Sequence, residues 1–101
     1  DQPITPITSY FVMQIGRLKL LPYFAPGDKA LAHAVDAVAA AHHAILLANH
    51  GPVVAGSSID AAIYAIEELE EAAKLQWLLA GQRVNALTRE QIRDLWQRFP
   101  N

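Results

Sequence analysis

Residues 44–56 read Ala-Ile-Leu-Leu-Ala-Asn-His-Gly-Pro-Val-Val-Ala-Gly, two short apolar runs separated by a polar trio. An apolar run this short, bounded by turn residues, reads as a strand buried on both faces. Asn49, His50 and Gly51 supply the turn, because asparagine tolerates left-handed backbone and glycine takes positive φ without steric cost. His50 therefore stands at the mouth of two stiff strands, facing away from a dry core. Two readings of it follow: a turn residue whose ring caps a carbonyl, or an imidazole held rigidly enough to bind a metal.

The rest of the chain arranges itself around that pair. Residues 1–8 carry Pro3 and Pro6, which favour extended or turn backbone. Residues 9–16 are apolar and rich in β-formers, compatible with a strand or a short helix. Leu18 to Phe24 reads as a strand, closed by the turn Pro26-Gly27-Asp28. Asp28 is placed to cap a helix that carries Leu31, Val35 and Val38 on one side and ends near Ala41.

After the central pair, Ser57 or Ser58 caps the longest helix, with Ser57 and Asp60 spaced for a capping box. Helical spacing gives it a stripe of Ile59, Ala62, Ile63, Ile66, Leu69, Ala73, Trp77 and Ala80, opposite Glu67, Glu68 and Glu71. Leu75, Leu78 and Leu79 lie off that stripe, so its second half is apolar all round and is expected to be covered by another surface. Gly81 ends the helix. Thr88 and Gln91 open a last one, with Ile92, Leu95, Trp96 and Phe99 facing inward and Pro100 stopping it.

With 101 residues, the chain makes one domain at most. Hydrophobic residues at 52% against 18% charged exclude disorder and point to surfaces hidden in an assembly. A net charge of −2 draws it to neither nucleic acid nor an anionic membrane. Without cysteine it has no disulfide frame and no thiolate metal site, which fits a reducing cytoplasm. No apolar run approaches membrane-spanning length.

Metal chemistry needs several ligands, and the chain has four histidines. His33 falls on a helix away from Leu31 and Val35 and reads as a surface residue. His42 and His43 are neighbours at a helix end, where adjacent side chains diverge and suit the helix dipole better than a shared ion. Glu70 falls in the apolar stripe and needs a partner, either structural or behind His50. Arg17 and Lys19 read equally as phosphate contacts or solvated strand ends. Tyr10 reads as a core or interface aromatic.

The string Ala-Ile-Leu-Leu-Ala-Asn-His-Gly, then Gly56 and a long helix, resembles the class II aldolase/adducin family. Pro22-Tyr23-Phe24-Ala25-Pro26-Gly27 and Glu68-Leu69-Glu70 extend the likeness over nearly the whole chain. The resemblance implies an α/β fold in three layers, a central, mainly antiparallel sheet between helices. Residues 1–101 would be the C-terminal part of that single domain.

It also implies that His50 is one of three histidines on a catalytic Zn2+. The other two, a His-x-His pair, and a carboxylate acid/base would lie upstream, so these residues alone would be inactive. Tyr10, before the small apolar run ending in Gly16, matches a tyrosine that handles a proton at a neighbouring subunit's site. The implied activity is cleavage of a C–C bond in a small sugar or sugar-acid phosphate through a metal-stabilised enediolate, by a homotetramer. Residues 7–13, 21–28 and 47–54 favour the family's 3-oxo-tetronate 4-phosphate decarboxylases over an L-fuculose-phosphate-type aldolase or an epimerase. An adducin-like assembly domain without metal is the reading of another class.

Overall fold

The computed structural model describes residues 2–100. Asp1, the first residue of the expected extended stretch, lies outside them. The elements follow in the order α1 (Ser9–Ile15), β1 (Leu18–Leu21), α2 (Lys29–Ala39), β2 (Ala44–Leu47), β3 (Gly51–Val54), α3 (Ile59–Leu78) and α4 (Arg89–Arg98).

Residues 9–15 are a helix, because Thr8 caps it with a side-chain oxygen that accepts from Phe11 N–H at 3.2 Å. Gly16, at φ 67°, takes the left-handed step that ends it. The strands form one sheet in the order β1-β2-β3, with β1 parallel to β2 and β2 antiparallel to β3. A parallel pair needs a crossover, and α2 provides it. The two strand pairs thus divide evenly between the two senses.

The sheet is the middle layer. On one face, Leu21, Ile45 and Leu47 pack against Leu31, Ala34, Val35 and Val38 of α2, the side expected from the spacing. On the other, Leu18 and Ala44 join Ile4, Phe11, Val12, Ile15, Ala65 and Leu69, with Ile92, Leu95 and Trp96 of α4 against them. Alternate residues of β2 serve opposite faces, which is why its sequence reads as unbroken apolar. Asp28 caps α2 through Ala30 N–H at 2.9 Å. The helix ends at Ala39, two residues short of the expected Ala41, and Ala41 and His42 N–H donate to Val38 C=O as the last turn tightens.

Two expectations for α3 are corrected. Of the two expected caps Ser58 is the one used, its hydroxyl accepting from Ala61 N–H at 3.0 Å, so the capping box expected from Ser57 and Asp60 does not form. The buried or half-buried residues are Ala61, Ala62, Ala65, Ile66, Glu68, Leu69, Ala72, Leu75, Gln76 and Leu79, so Ala62, Ile66 and Leu69 of the expected stripe do face inward, while Ile59 is 80% exposed, Ile63 49% and Trp77 77%. Alanine explains the rotation: α3 lies on α1, and small side chains permit the closest approach, turning several large ones outward. Glu70 is accordingly exposed, outside any apolar stripe.

The last helix opens as expected. Thr88 Oγ1 accepts from Gln91 N–H at 3.1 Å and Gln91 Oε1 from Thr88 N–H at 2.9 Å. Phe99 departs from expectation: it follows the helix as its C-cap and is 45% exposed.

Candidate functional site

The turn between β2 and β3 is held by backbone hydrogen bonds. His50 N–H donates to Leu47 C=O at 3.0 Å, closing a tight turn through Ala48 and Asn49. Asn49 sits at φ 61°, the sole non-glycine with positive φ among the described residues. Gly51, at φ 156°, then starts β3. Ala48 N–H donates to Leu21 C=O at 3.2 Å, tying the turn to the end of β1 as well.

The turn chemistry makes a prediction. A left-handed residue third in a tight turn favours glycine or asparagine. Asn49→Gly is expected to leave folding unchanged, while Asn49→Val costs about 1–2 kcal/mol, read from urea denaturation.

His50 is exposed, and its ring has no hydrogen-bond partner among the described residues. His42 and His43 behave differently. The Nδ1 of His42 pairs with Arg17 C=O at 3.0 Å and the Nε2 of His43 with Gln14 C=O at 2.8 Å, each ring nitrogen donating. They tie the end of α1 and the α1–β1 connection to the residues just before β2, the opposite end of that strand from His50. They are structural donors and cannot share an ion with it. His33 is exposed on α2, as expected. Among the described residues no group of three or more histidine, cysteine, aspartate or glutamate side chains surrounds one point. A metal bound by His50 would need further ligands beyond the described residues.

Tyr10 is 64% exposed at the start of α1, so it is no core aromatic. It lines a groove of about 420 Å³ with Gln14, Tyr64, Glu67, Glu68 and Glu71, which does not include His50. Within one chain, therefore, the two expected site residues do not line that groove together. Glu68, expected on a solvated face, is half-buried instead. Burial raises its carboxyl above the ordinary glutamate value, and the Glu71 charge adds to this. A raised carboxylate holds its proton more tightly folded than unfolded, so stability is highest below the unfolded value and declines as pH rises through the folded one. Glu68→Gln is expected to raise the melting temperature slightly at pH 7 and to give no gain at pH 4.

Arg17 and Lys19 are both exposed. The Arg17 guanidinium lies 4.7 Å from the Trp96 ring centroid, a cation–π contact that accounts for it without a phosphate. Arg17 and Trp96 line a cavity of about 910 Å³ with His43 and Gly56, at the end of the sheet remote from His50.

The profile described as Class II Aldolase and Adducin N-terminal domain matches residues 1–77. The chain belongs to the class II aldolase and adducin family. It is 47% identical over 92 residues to the 3-oxo-tetronate 4-phosphate decarboxylase of Escherichia coli strain K12, covering 91% of this chain and 43% of that protein. Against the L-fuculose phosphate aldolase of Haemophilus influenzae it is 31% identical over 103 residues, 98% of this chain and 47% of that one. The crystal structure of YgbL from Klebsiella pneumoniae superposes with a TM-score of 0.90 at 42% identity, over 93% of this chain and 45% of that one. This member of the family thus spans less than half the length of the curated relatives it matches.

Proposed function

We propose that this chain is the C-terminal part of a single class II aldolase/adducin-type domain, and that His50 is one of three histidines holding a divalent zinc there. The observation that carries the proposal is the turn: His50 is exposed, its ring is unengaged among the described residues, and the backbone on either side is hydrogen-bonded in place. A bound metal at that point would stabilise negative charge developing on substrate oxygens.

The reaction class is C–C bond cleavage in a small sugar-acid phosphate. For 3-oxo-tetronate 4-phosphate, the bond to the carboxylate breaks, carbon dioxide leaves, and the electron pair delocalises onto the keto oxygen as an enediolate. One proton then goes to the carbon that lost the carboxylate, giving dihydroxyacetone phosphate. Tyr10 is the proposed proton carrier, acting from a neighbouring subunit, because its exposed phenol does not share its groove with His50 of the same chain.

Identity favours the decarboxylase over the aldolase, 47% against 31%. The assembly is proposed to be a homo-oligomer, a tetramer, which would cover outward apolar residues such as Trp77 and Leu78, 77% and 59% exposed. No helix among the described residues is long and apolar enough to cross a membrane. A cytoplasmic location is part of the same proposal.

The test is turnover by the full-length protein that carries this chain. Carbon dioxide and a triose phosphate released in equal amounts from 3-oxo-tetronate 4-phosphate, and abolished by a chelator, support the reading. Cleavage of L-fuculose 1-phosphate instead assigns the aldolase, and no turnover with no bound metal assigns an assembly domain.

A further inference from the structure

We infer that Tyr23 forms the second wall of the His50 site and donates a hydrogen bond to a substrate oxygen. This inference rests on the reading of His50 as a metal ligand.

The topology brings the two residues to one end of the sheet. Because β1 and β2 are parallel, in the register Leu21↔Leu47, their C-terminal ends lie side by side. The bond from Ala48 N–H to Leu21 C=O continues the ladder past the strands. His50 is two residues beyond the donor of that bond, and Tyr23 two beyond its acceptor. Tyr23 extends β1 and His50 leads into β3, with β2 between them, so at strand spacings of about 4.8 Å the two residues leave the same end of the sheet roughly 10 Å apart, the width of a small ligand. In α/β sheets this end, beyond the carboxyl ends of parallel strands, is where ligands bind.

The loop that carries Tyr23 is built to hold it still. Pro22 and Pro26 restrict its backbone. Asp28 N–H donates to Ala25 C=O at 3.0 Å, and Gly27 at φ 84° makes the turn. The Asp28 carboxylate then caps α2. Phe24 is half-buried, whereas Tyr23, its neighbour, is 61% exposed. An aromatic ring on a rigid loop, left in solvent at the same end of the sheet as a candidate ligand, offers what a small oxygen-rich substrate needs. The phenol supplies a donor, and the ring supplies an apolar wall against the carbon skeleton.

The experiment measures steady-state kinetics of the full-length protein with 3-oxo-tetronate 4-phosphate, together with zinc content, for Tyr23→Phe and His50→Ala. The phenylalanine keeps the ring and removes only the hydroxyl at an exposed position. Losing one hydrogen bond to a charged oxygen raises KM by about tenfold, with kcat and zinc content at wild-type values. Unchanged KM in Tyr23→Phe, while His50→Ala loses zinc, overturns the Tyr23 assignment and leaves the metal reading standing. Zinc retained in His50→Ala overturns both.

Discussion

His50→Ala empties the proposed metal site and lowers turnover by more than about 100-fold, the upper range for losing an outer-shell partner rather than a ligand itself. The loss is expected without unfolding. His50 is exposed, and its ring packs into neither core cluster. The turn it sits in is specified by Asn49 and Gly51, whose positive φ values survive the substitution. Zinc content by mass spectrometry and the melting temperature, measured side by side, separate the two effects. A variant that keeps its melting temperature and loses its metal behaves as expected; one that keeps both contradicts the role given to His50.

The largest effect on stability is expected at Ile15. It is 0% exposed and sits where α1, α3, α4 and the sheet meet, with Phe11, Val12, Leu18, Ala44 and Leu69 in the same cluster. Ile15→Ala removes several methyl and methylene groups from a site closed on every side. Such substitutions cost about 2–5 kcal/mol, the upper part of that range where neighbours cannot collapse into the space. Urea denaturation should show the midpoint falling at an unchanged slope. By contrast, Arg98 and Asp94 form an exposed ion pair at 2.9 Å, and breaking it should hardly register.

Much of this fold was legible in the residues. Asp28, Thr88 and Gln91 cap helices as their chemistry requires, and the unbroken apolar run of β2 does indicate burial on both faces. The failures have a common cause, in that counting large apolar side chains does not show which face of a helix docks. In α3 the alanines set the contact, so Ile59, Ile63 and Trp77 turned outward and Glu68 turned partly inward. Residues 9–15 carried both β-formers and a helix cap, and only the bond from Phe11 to Thr8 decided between them.

The site was legible in part. Asn-His-Gly announces a tight turn, and the histidine in it stands out from the pair at positions 42 and 43. What sequence spacing does not contain is strand order. The parallel pairing of β1 with β2, made through α2, is what brings the Pro22–Asp28 loop to the same end as His50. Tyr23 carried part of the family likeness, yet nothing in its spacing placed it at the same end of the sheet as residue 50.

His50 is proposed as a metal ligand. Anomalous diffraction at the zinc edge, on crystals of the full-length protein, tests it most directly. A zinc peak about 2.0–2.1 Å from a ring nitrogen of His50 is expected. A zinc peak remote from that ring, in a crystal whose Asn49–Gly51 turn is ordered, would contradict it.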